Sequence, residues 1–256
     1  MESEIARGIF IPLIGTSLGS ACVFFMKGRM SPVISRILTG FAAGVMTAAS
    51  VWSLIIPALE YSVGLGRLSF LPIVLGFASG VVLLILLDRW IPQPTARADG
   101  AEEGERRSTI LVISVALHNF PEGMAVGAVY AALMAGDPTL SVAGAMLLSI
   151  GIAVQNLPEG AIVSMPLRAS GRSRLRAFLC GVASGIVEPI GAALTLAAVG
   201  FMLSALPYLL SFAAGAMIYV VFEELAPEMS GDRGRLGAIT FTVGFLFMMT
   251  LDVALG

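Results

Sequence analysis

The sequence predicts an all-α, polytopic membrane protein with eight transmembrane helices. Of its 256 residues, 57% are hydrophobic and 12% are charged, whereas soluble domains contain roughly 45–50% apolar and about 25% charged residues. The apolar residues form runs of the length that a helix needs to cross a bilayer, about 20 residues. The net charge of −2 gives no indication of nucleic-acid binding.

Eight apolar runs define the predicted spans of a single transmembrane domain over residues 1–256. Residues 177–226 are too long for one span and divide best at 204–207. Residues 92–108 are polar, charged and contain proline and glycine, which predicts a cytoplasmic loop. The first run lacks the pattern of a cleaved signal peptide and is expected to be a mature span. The predicted spans are approximately residues 9–26, 38–59, 68–87, 110–135, 140–167, 177–203, 207–226 and 236–255.

The basic residues of the loops predict the orientation. Lysine and arginine favour the cytoplasmic side of a membrane. They occur in the first, third, fifth and seventh predicted loops, whereas Arg67 is the only basic residue of the even-numbered loops. The odd-numbered loops are therefore predicted to be cytoplasmic, with both termini outside the cell.

Small-residue motifs predict close helix packing within the spans. Pairs of glycines four residues apart let helix backbones approach each other in lipid. Examples of such pairs are Gly40 and Gly44, Gly76 and Gly80, and Gly181 and Gly185.

Two related heptapeptides lie in the fourth and fifth spans, LHNFPEG at 117–123 and VQNLPEG at 154–160. Ionisable residues at membrane depth are expensive and are usually functional. Residues four apart share one face of a helix. The first heptapeptide therefore pairs His118, the only histidine of the protein, with Glu122, and the second pairs Gln155 with Glu159.

The prolines of both motifs open the backbone beside these side chains. Pro121 and Pro158 cannot donate a backbone hydrogen bond, so a carbonyl four residues earlier is left free. Irregular backbone inside a membrane is tolerated where it lines a cavity. With Asn119 and Asn156 at the flanks, the motifs predict a polar cavity near the middle of the bilayer.

This residue set predicts a divalent metal site. Two facing carboxylates repel each other in a medium of low dielectric, and a bound cation removes that repulsion. Imidazole, carboxylate and amide ligands suit Zn(II), Fe(II) and Mn(II). Glu188, which precedes Pro189 in the sixth span, offers a third carboxylate and thus a second metal position. The predicted ligands are His118, Asn119, Glu122, Gln155, Asn156, Glu159 and Glu188.

Four further residues suggest a pathway to and from this site. Met46 and Ser53 in the second span are candidates for the outer entrance. Glu223 and Glu224, which appear embedded near the cytoplasmic end of the seventh span, are candidates for the exit.

The chain resembles the ZIP (Zrt/Irt-like) metal transporters over all eight spans, most closely the prokaryotic GufA-like branch. The resemblance rests on the two heptapeptides, on GFAAGVMTAASVWSLIIPALE at 40–60 and on EELAPE at 223–228. It implies a ZIP-like helical bundle in the cytoplasmic membrane, a homodimer, and an elevator-like movement of helices one, four, five and six. It also implies two metal positions, which Glu122 and Glu159 bridge. The remaining ligands are then His118 and Gln155 for the first position, and Asn119, Asn156 and Glu188 for the second.

The function that this resemblance implies is transport of divalent metal ions into the cell. Zn(II) is the leading candidate, followed by Cd, Fe, Mn and Co. Many members of the family carry histidine where this chain has Gln155, so the set contains a single imidazole and strict zinc preference is not predicted. Many also carry a histidine-rich loop, but residues 92–108 contain no histidine, and metal sensing by this loop is not expected.

Two alternatives remain open at this point. An intramembrane metalloenzyme or a metal sensor would use the same site. The His-Glu-x-x-His motif of zinc hydrolases is absent, however, and one histidine does not provide the usual catalytic ligands. A proton-coupled carrier of organic solutes would not need this clustering of ligands. We therefore predict a transporter rather than an enzyme, without a catalytic cofactor.

Overall fold

The computed structural model describes residues 2–25, 31–90, 101–136, 140–169, 171–201, 203–230 and 235–255. Side chains of some residues inside its helices, among them His118 and Glu224, lie outside the described part. All the regular structure that it describes is helical, and no strand occurs in these ranges. The all-α class predicted from the sequence is therefore confirmed.

The described residues form eight long helical elements, with short 3₁₀ segments at Val63–Leu68, which is kinked at Gly66, and at Leu203–Ala205. Several begin at residues suited to a helix start, such as Pro32 in the first turn of the second element. The elements are α1 (Glu2–Phe25), α2 (Pro32–Tyr61), α3 (Phe70–Trp90), α4 (Ala101–Met134), α5 (Val142–Ala169), α6 (Arg174–Gly185 and Val187–Phe201), α7 (Leu206–Ser230) and α8 (Arg235–Leu255).

The start of α4 differs from the sequence prediction. Residues 101–108 were expected to belong to a loop, but α4 already begins at Ala101. Alanine, glutamate and arginine, which dominate this stretch, are strong helix formers. Their helix propensity outweighs the polar composition from which a loop was predicted. The rest of the predicted loop, residues 92–100, lies outside the described residues.

Among the described residues, seven of these elements are long and apolar enough to cross a membrane, and α4 is not one of the seven. α4 has 34 residues, which is ample length to cross a membrane, but several of its side chains, among them that of His118, lie outside the described part. Large apolar side chains such as Ile14, Val74 and Val243 are exposed on α1, α3 and α8, as expected for surfaces that face lipid rather than water. The chain is thus a multi-pass membrane protein, and the eighth span remains a prediction.

Glycines set the closest contacts of α1 with α5 and of α4 with α6. A Cβ atom at Gly15 of α1 would overlap the backbone of Ala153 in α5. A Cβ atom at Gly123 of α4 would overlap the backbone carbonyl of Glu188 in α6. Both helix pairs therefore pack backbone against backbone, which only small residues permit.

A second set of glycines joins the remaining helices. Gly44 of α2 meets the backbone of Phe241 in α8, and Gly80 of α3 meets the backbone of Phe212 in α7. These glycines belong to two of the motifs that predicted close packing, and that prediction is confirmed. The glycine contacts thus connect α1 with α5, α4 with α6, α2 with α8 and α3 with α7.

Three helices change their backbone geometry a few residues before a proline. α6 breaks at Ile186, three residues before Pro189. α2 and α7 each contain a π-helical segment, Ser50–Ile55 and Val221–Leu225, that ends two residues before a proline. Proline lacks an N–H group, and its ring clashes with the carbonyl four residues earlier. The preceding turn therefore widens, and the residue just before each of these two prolines donates to the carbonyl five residues back.

Candidate metal centre

Asn119 of α4 connects its helix to the break in α6. Its Nδ2 atom donates hydrogen bonds to the backbone carbonyl of Ser184 and to Oε1 of Glu188, both at 3.1 Å. The Ser184 carbonyl lies at the break in α6, next to the turn in which Ile186 donates to Ala183. With both amide hydrogens engaged, the buried Oδ1 atom of Asn119 has no hydrogen-bond partner.

Glu188 is completely buried between α1, α4 and α6. Its Oε1 atom accepts a second hydrogen bond, 2.6 Å long, from the hydroxyl of Thr16 on α1. Its other carboxylate oxygen, Oε2, has no partner. Thr16 was not singled out from the sequence, because a lone threonine in an apolar helix carries no recognisable signal.

Glu122 of α4 and Gln155 of α5 form the central contact between the two motifs. Gln155 donates a hydrogen bond of 2.6 Å from Nε2 to Oε1 of Glu122, and both side chains are completely buried. Oε2 of Glu122 and Oε1 of Gln155 have no hydrogen-bond partner. The two motifs thus meet as the sequence suggested, and in this contact each motif has one side-chain oxygen without a hydrogen-bond partner.

Asn156 and Glu159 complete the group on α5. Asn156 is completely buried beside Glu122 and Glu188, yet neither polar atom of its amide makes a hydrogen bond of acceptable geometry. Glu159 is 9% exposed and interacts electrostatically with Glu188. Glu188 thus interacts electrostatically with one carboxylate on α4, that of Glu122, and with one on α5, that of Glu159.

His118 lies in α4 one turn before Glu122, and its side chain lies outside the described residues. Where side chains are described, no group of three or more His, Cys, Asp or Glu residues forms a metal site by itself. The amides of Asn119, Gln155 and Asn156 and the imidazole of His118 are the further candidate ligands at this place.

The chemistry of the cluster fits a divalent cation. Five buried oxygens from three helices have no hydrogen-bond donor, namely Asn119 Oδ1, Glu122 Oε2, Gln155 Oε1, Asn156 Oδ1 and Glu188 Oε2. Leaving a buried polar atom unsatisfied costs about 1–3 kcal/mol. Carboxylate and amide oxygens are ligands for divalent ions, and a bound ion would satisfy several of them at once.

The predicted pathway residues lie on α2 and α7. Met46 is buried in the regular part of α2. Ser53 lies in the π-helical segment of α2 and donates a hydrogen bond of 2.7 Å to Oδ1 of Asp252 on α8. This contact joins residues 199 positions apart.

Glu223 and Glu224 both lie in the π-helical segment of α7. Glu223 is exposed on the surface of the helix bundle, and its depth in the membrane stays a prediction. The side chain of Glu224 lies outside the described residues.

Comparison with known proteins identifies the family. The ZIP Zinc transporter family matches residues 92–252 of the chain. The chain is 37% identical to zinc transporter ZIPB of Bordetella bronchiseptica, over 94% of this chain and 78% of the relative. It is 34% identical to zinc transporter GufA of Myxococcus xanthus, over 95% and 96%. It is 33% identical to zinc transporter ZIP11 of Xenopus tropicalis, over 94% of each. The resemblance noted in the sequence is thereby confirmed, and the chain belongs to the ZIP zinc transporter family.

Proposed function

We propose that this protein transports divalent metal cations, Zn(II) foremost, through the buried cluster on α4, α5 and α6. The observation that carries the proposal is the set of five buried oxygens without hydrogen-bond donors. Such a set is unfavourable in an empty apolar interior and favourable around a cation. The names of the relatives, all zinc transporters, agree with this cargo.

Two metal positions share the central carboxylates in this proposal. His118 and Gln155 complete the first position, and Asn119, Asn156 and Glu188 complete the second, while Glu122 and Glu159 bridge the two. Hydrogen bonds from Gln155 to Glu122 and from Asn119 to Glu188 use the amide hydrogens. The amide oxygens of Gln155 and Asn119 have no hydrogen-bond partner and are the atoms that would bind the ion.

We further propose that the ion enters from outside the cell, past Met46 and Ser53, and leaves to the cytoplasm past Glu223 and Glu224. This direction rests on the resemblance to the family, and the proposal includes eight spans with both termini outside, in the cytoplasmic membrane. No thiolate belongs to the ligand set, so the ion is bound less tightly than in a structural zinc site. Weaker binding suits an ion that must leave again.

An elevator-like movement of α1, α4, α5 and α6 agrees with the packing. Glycine contacts hold α1 to α5 and α4 to α6, and a separate set holds α2 to α8 and α3 to α7. Between the two groups, Gly151 of α5 meets only the side-chain tip of Met248 in α8. A flexible thioether is easier to displace than a backbone, so this surface suits sliding. We retain the homodimer as part of the proposal.

The alternative is an intramembrane metalloenzyme or metal sensor that uses the same site. Purified protein in liposomes distinguishes these functions through uptake of zinc, with cadmium, iron(II) and manganese as competitors. We expect time-dependent zinc uptake above that of protein-free liposomes, and the competition order gives the selectivity. Metal binding without uptake of any of these ions would overturn transport and favour the alternative.

Replacing Glu188 by alanine is expected to slow uptake less than replacing either bridging glutamate. Glu188 contributes to the second position only, so the first position keeps its ligands. We expect a rate on the order of a tenth of wild type, similar to changes around other metal sites. The same liposome assay is run with Glu188→Gln, which keeps a carbonyl oxygen. Its uptake rate should lie between those of the wild type and Glu188→Ala. Equal loss in the Glu188 and Glu122 variants would argue against separate positions.

A further inference from the structure

α1 contributes one polar group to the cluster, the hydroxyl of Thr16. Thr16 is completely buried, and its Oγ1 atom lies 2.6 Å from Oε1 of Glu188. The carbonyl of Pro12, one turn earlier on the same helix, is a second possible acceptor at 3.4 Å. A hydroxyl has a single hydrogen. The much shorter distance and the charge of a carboxylate acceptor direct it to Glu188.

Glycines on two neighbouring helices fix the position of Thr16. A Cβ atom at Gly185 of α6 would come within 2.9 Å of Cβ and Cγ2 of Thr16. A Cβ atom at Gly160 of α5 would overlap the backbone carbonyl of Thr16. Both neighbours must therefore be glycine for α1 to approach this closely, and the hydroxyl is held in place before any ion binds.

We propose that Thr16 is a positioning residue for Glu188. Together with Nδ2 of Asn119, the hydroxyl saturates Oε1 of Glu188 and leaves Oε2 as the oxygen without a partner. The carboxylate is thereby held in one orientation, with a single oxygen available to the second metal position. This inference rests on the proposed function and extends it, because it makes α1 a part of the site without making it a ligand.

The test measures cadmium and zinc binding to the purified full-length protein by titration calorimetry. Thr16→Val removes the hydroxyl and keeps the branched shape. We expect the affinity of the second metal position, which uses Glu188, to fall about tenfold or more for each metal, as when other groups that orient metal ligands are removed. The affinity of the first metal position should stay unchanged, and Thr16→Ser should restore binding at the second. Ser20→Ala, which removes a buried hydroxyl one turn away that bonds to the Thr16 carbonyl, serves as the matched control.

A double-mutant cycle separates positioning from general packing. If Thr16 acts through Glu188, Thr16→Val in a Glu188→Ala background causes no further loss of affinity. Additive losses, or unchanged binding in the single Thr16→Val variant, would overturn the inference. Thr16→Ala replaces the valine variant in every arm if the latter does not fold. Wild-type protein that binds neither ion would refute the proposed function itself, an outcome distinct from a failure confined to Thr16.

Discussion

Zinc uptake by liposomes that contain the Glu122→Ala variant is expected to fall to the background of protein-free liposomes. Glu122 is completely buried, and its Oε2 atom has no hydrogen-bond partner, so in the proposed site it serves both metal positions. Removing it takes a negative charge from each position and also leaves Nε2 of Gln155 without an acceptor. The same loss is expected for Glu159→Ala, because Glu159 is the second bridging ligand.

The control for these variants is Glu60→Gln, which changes an exposed glutamate near the C-terminal end of α2. It is expected to keep the wild-type rate, since it removes a charge of the same kind away from the cluster. All variants are compared at equal protein content in the liposomes. Normal zinc uptake by both Glu122→Ala and Glu159→Ala would defeat the bridged site.

The second large effect is expected for Gly123→Val, which should abolish uptake without changing a ligand. A Cβ atom at this position would overlap the backbone carbonyl of Glu188. Overpacking typically costs about 1–3 kcal/mol, and here the obstacle is a backbone that cannot rotate away. α4 and α6 must then separate, which moves Glu188 away from Asn119. We expect a melting temperature lower by roughly 5–10 °C, measured in detergent beside the uptake assay.

Gly64→Ala is the matched control for this prediction. Gly64 lies in the turn between α2 and α3, and a Cβ atom there would meet nothing within 4 Å. The variant is expected to melt and transport like the wild type. A Gly123→Val variant that also behaved like the wild type would show that α4 and α6 do not pack as closely as described here.

The sequence predicted the parts of the molecule that follow from local pattern. Apolar runs gave the helices, and the spacing of Gln155 from Glu159 gave a shared helix face. The repeated Pro-Glu motif pointed to facing carboxylates, and the structure brings Glu122 and Gln155 into contact. Gly-x-x-x-Gly motifs predicted close packing, but the sequence did not identify the partner helices, because partners depend on the tertiary arrangement.

Other features depend on contacts between residues far apart in the chain. Thr16 reaches Glu188 across 172 positions, and Ser53 reaches Asp252 across 199, so neither pairing could be predicted from local pattern. The π-helical segments of α2 and α7 were missed as well. Proline two residues after each segment is compatible with several local geometries, and the packing of the bundle selects one of them.

The metal site bridged by Glu122 and Glu159 can be tested by locating the ions in crystals of the protein grown with cadmium. Anomalous scattering identifies cadmium positions without reference to any transport assay. We expect one peak between the carboxylates of Glu122 and Glu159 and a second beside Oε2 of Glu188. Peaks confined to the protein surface, with none within bonding distance of Glu122 and Glu159, would contradict the bridged site.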